Sequence, residues 1–262
     1  MNELIGSLIS NDSRFGKLMT KLGIIIIGNI LFVLFSLPVV TIGASWAALS
    51  HVMLKAQRSN GVTNPFKQFW IGFKSNFKQA TVVWLITLLL VVIGYFNVRI
   101  CLSATGFIAN VRYAVYALGV ILVIVLIYLF PVMAAFENTL PKLIHNSIYF
   151  ALHKPGKLIV LLFFHVFPLV LTYSDPQTMP LYAFLWTFFG FGAIAMLTAR
   201  LLVPEFKPYL PLVDEYGDFV LDENGNKMKA DALLENEEAP DASGISEKSE
   251  AEILEEMKKL GM

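Results

Sequence analysis

The sequence predicts an all-α, polytopic transmembrane helical bundle: five long spans, a short sixth membrane helix and a partly disordered acidic C-terminal tail. Three observations predict it. The 262 residues are 56% hydrophobic and only 15% charged, with a mean hydropathy of +0.64, whereas a soluble domain carries roughly 25% charged residues. The apolar excess is gathered between Leu22 and Val203, in runs near the ~20 residues that cross a hydrocarbon core ~30 Å thick. The charges, finally, are segregated along the chain. Up to Val213 five acids (Glu3, Asp12, Glu137, Asp175, Glu205) stand against fifteen Lys or Arg, and beyond it fifteen Asp or Glu stand against five Lys. A basic membrane domain of residues 1–206 and an acidic tail of residues 207–262 follow from that reversal.

The first span is Leu22–Val40, preceded by Arg14, Lys17 and Lys21. Its length exceeds the 7–15 residues of a signal-peptide core, and further spans follow, so it reads as retained. Ser36-Leu37-Pro38 breaks or kinks its end, because proline removes a helical donor. Thr41–Arg58 then reads as a short helix with Thr41 as N-cap and a small-residue face of Gly43, Ala44, Ala47 and Ala48. If this helix lay in the interface, the basic N-terminus and the basic stretch Lys55–Lys78 would fall on opposite sides. A crossing helix puts the N-terminus, Lys55–Lys78, the Lys142–Lys157 loop and the tail together on the cytoplasmic side, as the positive-inside rule requires.

Between Ser59 and Phe77, turn formers (Asn60-Gly61, Asn64-Pro65) precede Phe66, Phe69, Trp70 and Phe73 interleaved with Lys67, Lys74 and Lys78. That mixture suits a helix lying at headgroup level. The remaining spans read as Gln79–Leu102, Tyr113–Ala135, Lys157–Tyr173 and Leu181–Val203. In the tail, Asp218–Lys229 suggests a hairpin about Asn224-Gly225. A calcium loop is rejected there, because Lys227 stands where the turn glycine is required and Leu233 where the glutamate is. Leu234–Glu250 reads as disordered linker, and Ser249–Leu260 as a terminal helix with a capping box.

Chemistry is sparse. No phosphate-binding glycine loop, zinc-protease motif or nucleophile elbow is present, so no enzyme, cofactor or metal is expected. The single cysteine, Cys101, permits no intrachain disulfide. Cations at helix ends do not make a nucleic-acid patch. Polar groups inside spans are costly and therefore candidates for function: Asn29, His51, Asn97, Arg99 and His165. Asn29, His51 and His165 are the candidates for a substrate path, against a plain role in interhelical hydrogen bonding. A mid-membrane carboxylate, the usual mark of ion coupling, is not among them.

The stretch SLPVVTIGASWAAL, the Lys55 and Arg58 pair, and FKQFWIGFKSNFKQATVVWL resemble the YesL family of bacterial membrane proteins, which centres on a domain of unknown function. Ser36, Pro38, Thr41, Ile42, Gly43, Ala47, Ala48, Phe69, Phe73, Asn76, Gln79 and Trp84 carry the match. A second block runs from Phe130-Pro131 through Phe136 to Asn146 and Pro155, and the resemblance spans about residues 15–203. It implies an integral protein of the bacterial cytoplasmic membrane. Genes of this family often accompany genes for carbohydrate uptake and degradation, which implies an accessory role, with sugar ABC permease subunits as partners beside the lipid bilayer. The alternative is a small transporter in its own right. The family supplies no catalytic residues. Ser36, Pro38, Thr41, Gly43, Ala47, Lys55 and Arg58 form the candidate working turn and helix. Oligomeric state is not legible.

Overall fold

The computed structural model describes residues 14–59, 63–174 and 176–210, and every regular element in them is helical. In order these are α1 (Arg14–Phe35), α2 (Ile42–Arg58), α3 (Pro65–Ser103), α4 (Phe107–Ala135), α5 (Leu140–His153), α6 (Pro155–Ser174), α7 (Met179–Leu185) and α8 (Phe191–Phe206). A π-turn, Trp186–Gly190, joins α7 to α8. Six segments are long and apolar enough to cross a membrane: Gly16–Phe35, Val39–Arg58, Pro65–Ser103, Phe107–Ala135, Pro155–Ser174 and Met179–Tyr209. The chain is a multi-pass helical membrane protein. The expected hairpin at Asp218–Lys229, the linker and the terminal helix lie outside the described residues.

The apolar run that reads as one span to Val40 ends as a helix at Phe35. Val39–Thr41 forms a 3-10 turn, and α2 starts at once. Thr41 occupies the N-cap position, but its hydroxyl does not cap α2. It shares its proton between the carbonyls of Phe35 (2.6 Å) and Pro38 (2.8 Å). Pro38 cannot donate, and the end of a helix leaves carbonyls without partners; Thr41 satisfies them instead of starting the next helix.

The segment that reads as the short helix is the centre of the fold. α2 packs on α1, α3, α4 and α8, and Ala44, Ala47, Ala48, Leu49, Val52, Met53 and Ala56 are fully buried. Small residues allow this. A Cβ on Gly43 would fall 2.4 Å from the Ala80 carbonyl oxygen, and one on Gly72 would fall 2.7 Å from the His51 Cβ. The two glycines let α2 and α3 run antiparallel at near backbone contact. At the far end of the seam the Trp84 indole donates to the Val39 carbonyl at 2.7 Å.

Two expectations need correction. Phe66, Phe69, Trp70 and Phe73 do not lie on a separate interfacial helix. They are the first turns of α3, a single 39-residue helix about 58 Å long at 1.5 Å per residue. Asn64 caps it, its Oδ1 accepting from the amides of Phe66 and Lys67, and Pro65 takes the first helical position, where its missing donor is harmless. Gln68, Phe69, Ile71, Gly72 and Asn76 are buried, because this half of α3 closes against α2. The other half pairs with α4 and exposes Leu85, Leu89, Ile93 and Phe96. The Lys142–Lys157 stretch, expected as a loop, is helical through His153 as most of α5. Its buried residues, Leu143, Asn146, Ser147, Phe150 and Ala151, fall at the i, i+3, i+4, i+7, i+8 spacing of one helix face.

Gly43→Ala should lower the thermal midpoint in detergent by the equivalent of about 1–3 kcal/mol, the range for overpacking a tight contact. Gly119→Ala, whose methyl would meet nothing within 4 Å, should leave it unchanged or raise it by up to about 1 kcal/mol. Equal behaviour of the two variants contradicts the close α2–α3 contact.

Candidate functional site

The candidate turn and helix, Ser36 to Arg58, stand at the most enclosed part of the molecule. Ser36 and Pro38 form the hinge between α1 and α2, with the Ser36 amide bonded to the Phe32 carbonyl at 2.9 Å. Gly43 and Ala47 face neighbouring helices, and Lys55 and Arg58 lie in the last turn of α2, where cations favour the helix C-terminus.

Asn29 is fully buried. Its Nδ2 donates to the carbonyls of Trp186 (2.9 Å) and Thr187 (2.7 Å), and its Oδ1 accepts from the Gly192 amide at 2.7 Å. Two partners belong to the π-turn, and the third, Gly192, is the second residue beyond it. A π-turn displaces the helical ladder by one residue, which leaves backbone groups to be paired elsewhere, and one carboxamide pairs three. Gly192 permits the approach: a Cβ there would sit 2.6 Å from the Ile25 carbonyl oxygen.

His51 bridges two other helices. Its Nδ1 lies 3.2 Å from the Ala134 carbonyl, and its Nε2 lies 3.2 Å from Gln68 Oε1. A carbonyl only accepts, so Nδ1 carries a proton; Nε2 then either accepts from the Gln68 amide group in its flipped orientation or donates as imidazolium. Ala134 belongs to the last turn of α4, whose carbonyls lack helical donors. His165 bonds within its own helix, Nδ1 to the Leu161 carbonyl at 2.8 Å, and its ring centre lies 6.3 Å from that of Trp46. Asn97 does likewise, donating to the Ile93 carbonyl.

Asn29 and His165 thus border one aromatic cluster, in which Phe191 stands 4.8 Å from Phe32, 6.0 Å from Trp46 and 4.8 Å from Trp186 between ring centres. His51 belongs to a different contact, with Gln68 and the end of α4. The three residues expected to line one path are not brought together. Among the described residues no group of three His, Cys, Asp or Glu converges, and Cys101 is a buried free thiol.

Sequence reasoning missed the ion pair between α6 and α8. The Lys157 ammonium lies 2.8 Å from Glu205 Oε1 and donates to the Leu201 carbonyl at 2.8 Å. It approaches the carboxylate off the hydrogen-bonding direction, so charge rather than a hydrogen bond holds the two. Only 3% of the Glu205 side chain is exposed, against 26% of Lys157. No spacing rule links residues this far apart, and each alone looks like an ordinary charge at a helix end. The π-turn was equally hidden, since it contains no proline.

Asn29→Leu should cost about 1–3 kcal/mol of unfolding stability by orphaning buried backbone groups, whereas His165→Phe should cost less than about 1 kcal/mol; calorimetry in detergent distinguishes them. Lys157→Met, which strands a buried carboxylate, should cost about 3 kcal/mol. Glu205→Gln should cost less, because Lys157 can turn toward solvent. The double variant should recover most of the loss, and additive losses would show that the pair is not coupled.

Residues 25–98 match the family model described as "Protein of unknown function, DUF624". The matched stretch runs from the middle of α1 through α2 to the last turns of α3, the region where the close seam, the Thr41 tie and the His51 bridge are found. No curated protein and no solved structure matches the chain. Over residues 25–98 the chain is thus similar to the DUF624 family, which includes the YesL-type membrane proteins.

Proposed function

We propose that this protein is an accessory subunit of the bacterial cytoplasmic membrane that assembles with another membrane complex, a sugar ABC permease in the first instance. One observation supports the assembly role. The second half of α3 and the first half of α4 form an apolar hairpin whose side chains, among them Leu89, Ile93, Leu118 and Ile121, stay exposed, while Asn29, Thr41 and His51 of the enclosed part are occupied in bracing helices. Gly94 and Gly119 lie on this hairpin, and Gly119 has open space beside it; small residues are what close helix–helix association in lipid uses. The link to carbohydrate uptake rests on the family resemblance alone. By the positive-inside rule the end of the bundle that carries Lys55, Arg58, α5, Lys157 and Lys207 is assigned to the cytoplasm.

Affinity purification of the full chain from native membranes in mild detergent, with mass spectrometry of what stays bound, tests the proposal. Recovery of sugar-permease subunits, lost in Leu89→Arg and Ile121→Arg variants that still insert, is the expected result. Recovery of the chain alone, together with solute flux in reconstituted vesicles, contradicts it and favours a transporter.

A further inference from the structure

The last span is irregular where it faces α6, and the irregularity builds a cavity. Its volume is 370 Å³, within the size range of small-ligand sites, roughly 300–1,000 Å³. Phe164, Pro168 and Leu171 form one wall, and Leu185, Trp186 and Ala193 form the other. The cavity is not a packing flaw. Trp186 opens the π-turn, and Gly190 leaves room for its ring, since a Cβ there would fall 2.4 Å from the indole Cε3. The indole Nε1 then donates to Thr172 Oγ1 at 2.9 Å, and that hydroxyl donates to the Pro168 carbonyl at 2.8 Å. Asn29 holds the turn from behind through its three backbone bonds.

These bonds decide the chemistry of an occupant. The polar atoms of Thr172 and of the Trp186 ring are used within the wall; Tyr182 brings a phenol to the lining, and among the described residues no charged side chain lines the cavity. What is offered is mostly apolar surface. Both walls belong to membrane-crossing segments, and the lining residues Phe164, Leu171, Leu185 and Ala193 are themselves exposed. Phe163, Phe167, Leu181 and Phe184, chain neighbours of lining residues on the same helices, are exposed apolar residues as well. The cavity is therefore continuous with the face that the spans present to the bilayer, and the occupant that reaches it from that side is a hydrocarbon chain.

We propose that the groove between α6 and the α7–α8 span is a binding site for one acyl chain of a membrane phospholipid, and that the Asn29-braced π-turn shapes it. Trp186 is a built-in reporter. The full chain in detergent is titrated with a phosphatidylcholine whose acyl chains carry bromine, which quenches indole fluorescence on contact. The expected result is a saturable quenching component, reversed by the unbrominated lipid, absent in Trp186→Phe and reduced at least fivefold in Ala193→Phe. Ala193 is exposed in the groove, so its enlargement fills the site without entering the packed side of α8. Leu181→Phe, outside the groove, should retain the component, and unchanged thermal midpoints show that the variants are folded. Quenching that rises linearly with lipid content, that survives Ala193→Phe, or that a polyprenyl lipid reverses while the phospholipid does not, overturns the proposal. Should Ala193→Phe fail to fold, Ala193→Leu takes its place with the same expected loss.

Discussion

Everything else in the bundle depends on how closely α2 and α3 approach. In lipid there is no gain from removing apolar side chains from water, so helices associate through packing contact and hydrogen bonds. Contact is greatest where backbones meet, and Gly43 and Gly72 are the residues that let them meet. With α3 drawn in along this seam, Trp84 reaches the carbonyl of Val39 and fixes the turn after α1. His51 reaches across to Gln68 of α3 and the end of α4. Gln79 of α3 donates to the Asn138 carbonyl beyond α4. A side chain larger than hydrogen at either glycine would separate the helices and loosen each of these ties.

Three of the polar groups set among the helices do a common kind of work. Thr41, His51 and Asn29 each satisfy main-chain groups that a helix end or a π-turn leaves unpaired, and an unpaired backbone group in an apolar setting costs more than the bond that satisfies it returns. Asn29 is the clearest case, because a single carboxamide serves three backbone atoms of the last span. The Lys157–Glu205 pair is different. It buries a carboxylate beside one ammonium, an arrangement whose net stabilisation is small but whose disruption is costly. These uses turn residues that looked like a path into braces, and they shift attention to the surfaces the braces support.

Much of the fold was legible from the residues. Run length and hydropathy located the spans, and the charge distribution required the segment ending at Arg58 to cross. The face of small residues, Gly43, Ala44, Ala47 and Ala48, marked a close packing seam before any helix was placed beside it. Periodicity would also have revealed α5, had Leu143, Asn146, Ser147, Phe150 and Ala151 been set on a helix, but the surrounding Lys, His and Pro read as loop. The continuity of α3 was hidden because its first turns carry the aromatic and basic composition of an interfacial helix. The burial of Phe69 and Gln68 depends on α2, which is a tertiary fact. The candidate site was less legible still. Asn29 and Glu205 each find partners more than forty residues away, at positions set by a π-turn and by helix ends whose relation in space no local pattern states.

The central claim, that α2 is a buried crossing helix held at the core of the bundle, is tested most directly by cysteine accessibility along residues 39–58 in a Cys101→Ser background. Single cysteines would be probed in intact cells and in inverted vesicles with a membrane-impermeant maleimide. The account predicts reaction at Val39 and Val40 from one side, reaction at Lys55 and Gln57 from the other, and protection from both sides at Ala44, Ala47, Ala48 and Val52. Reaction from a single side, recurring every three to four residues along the whole segment, would instead place the helix flat on the membrane surface and contradict the account.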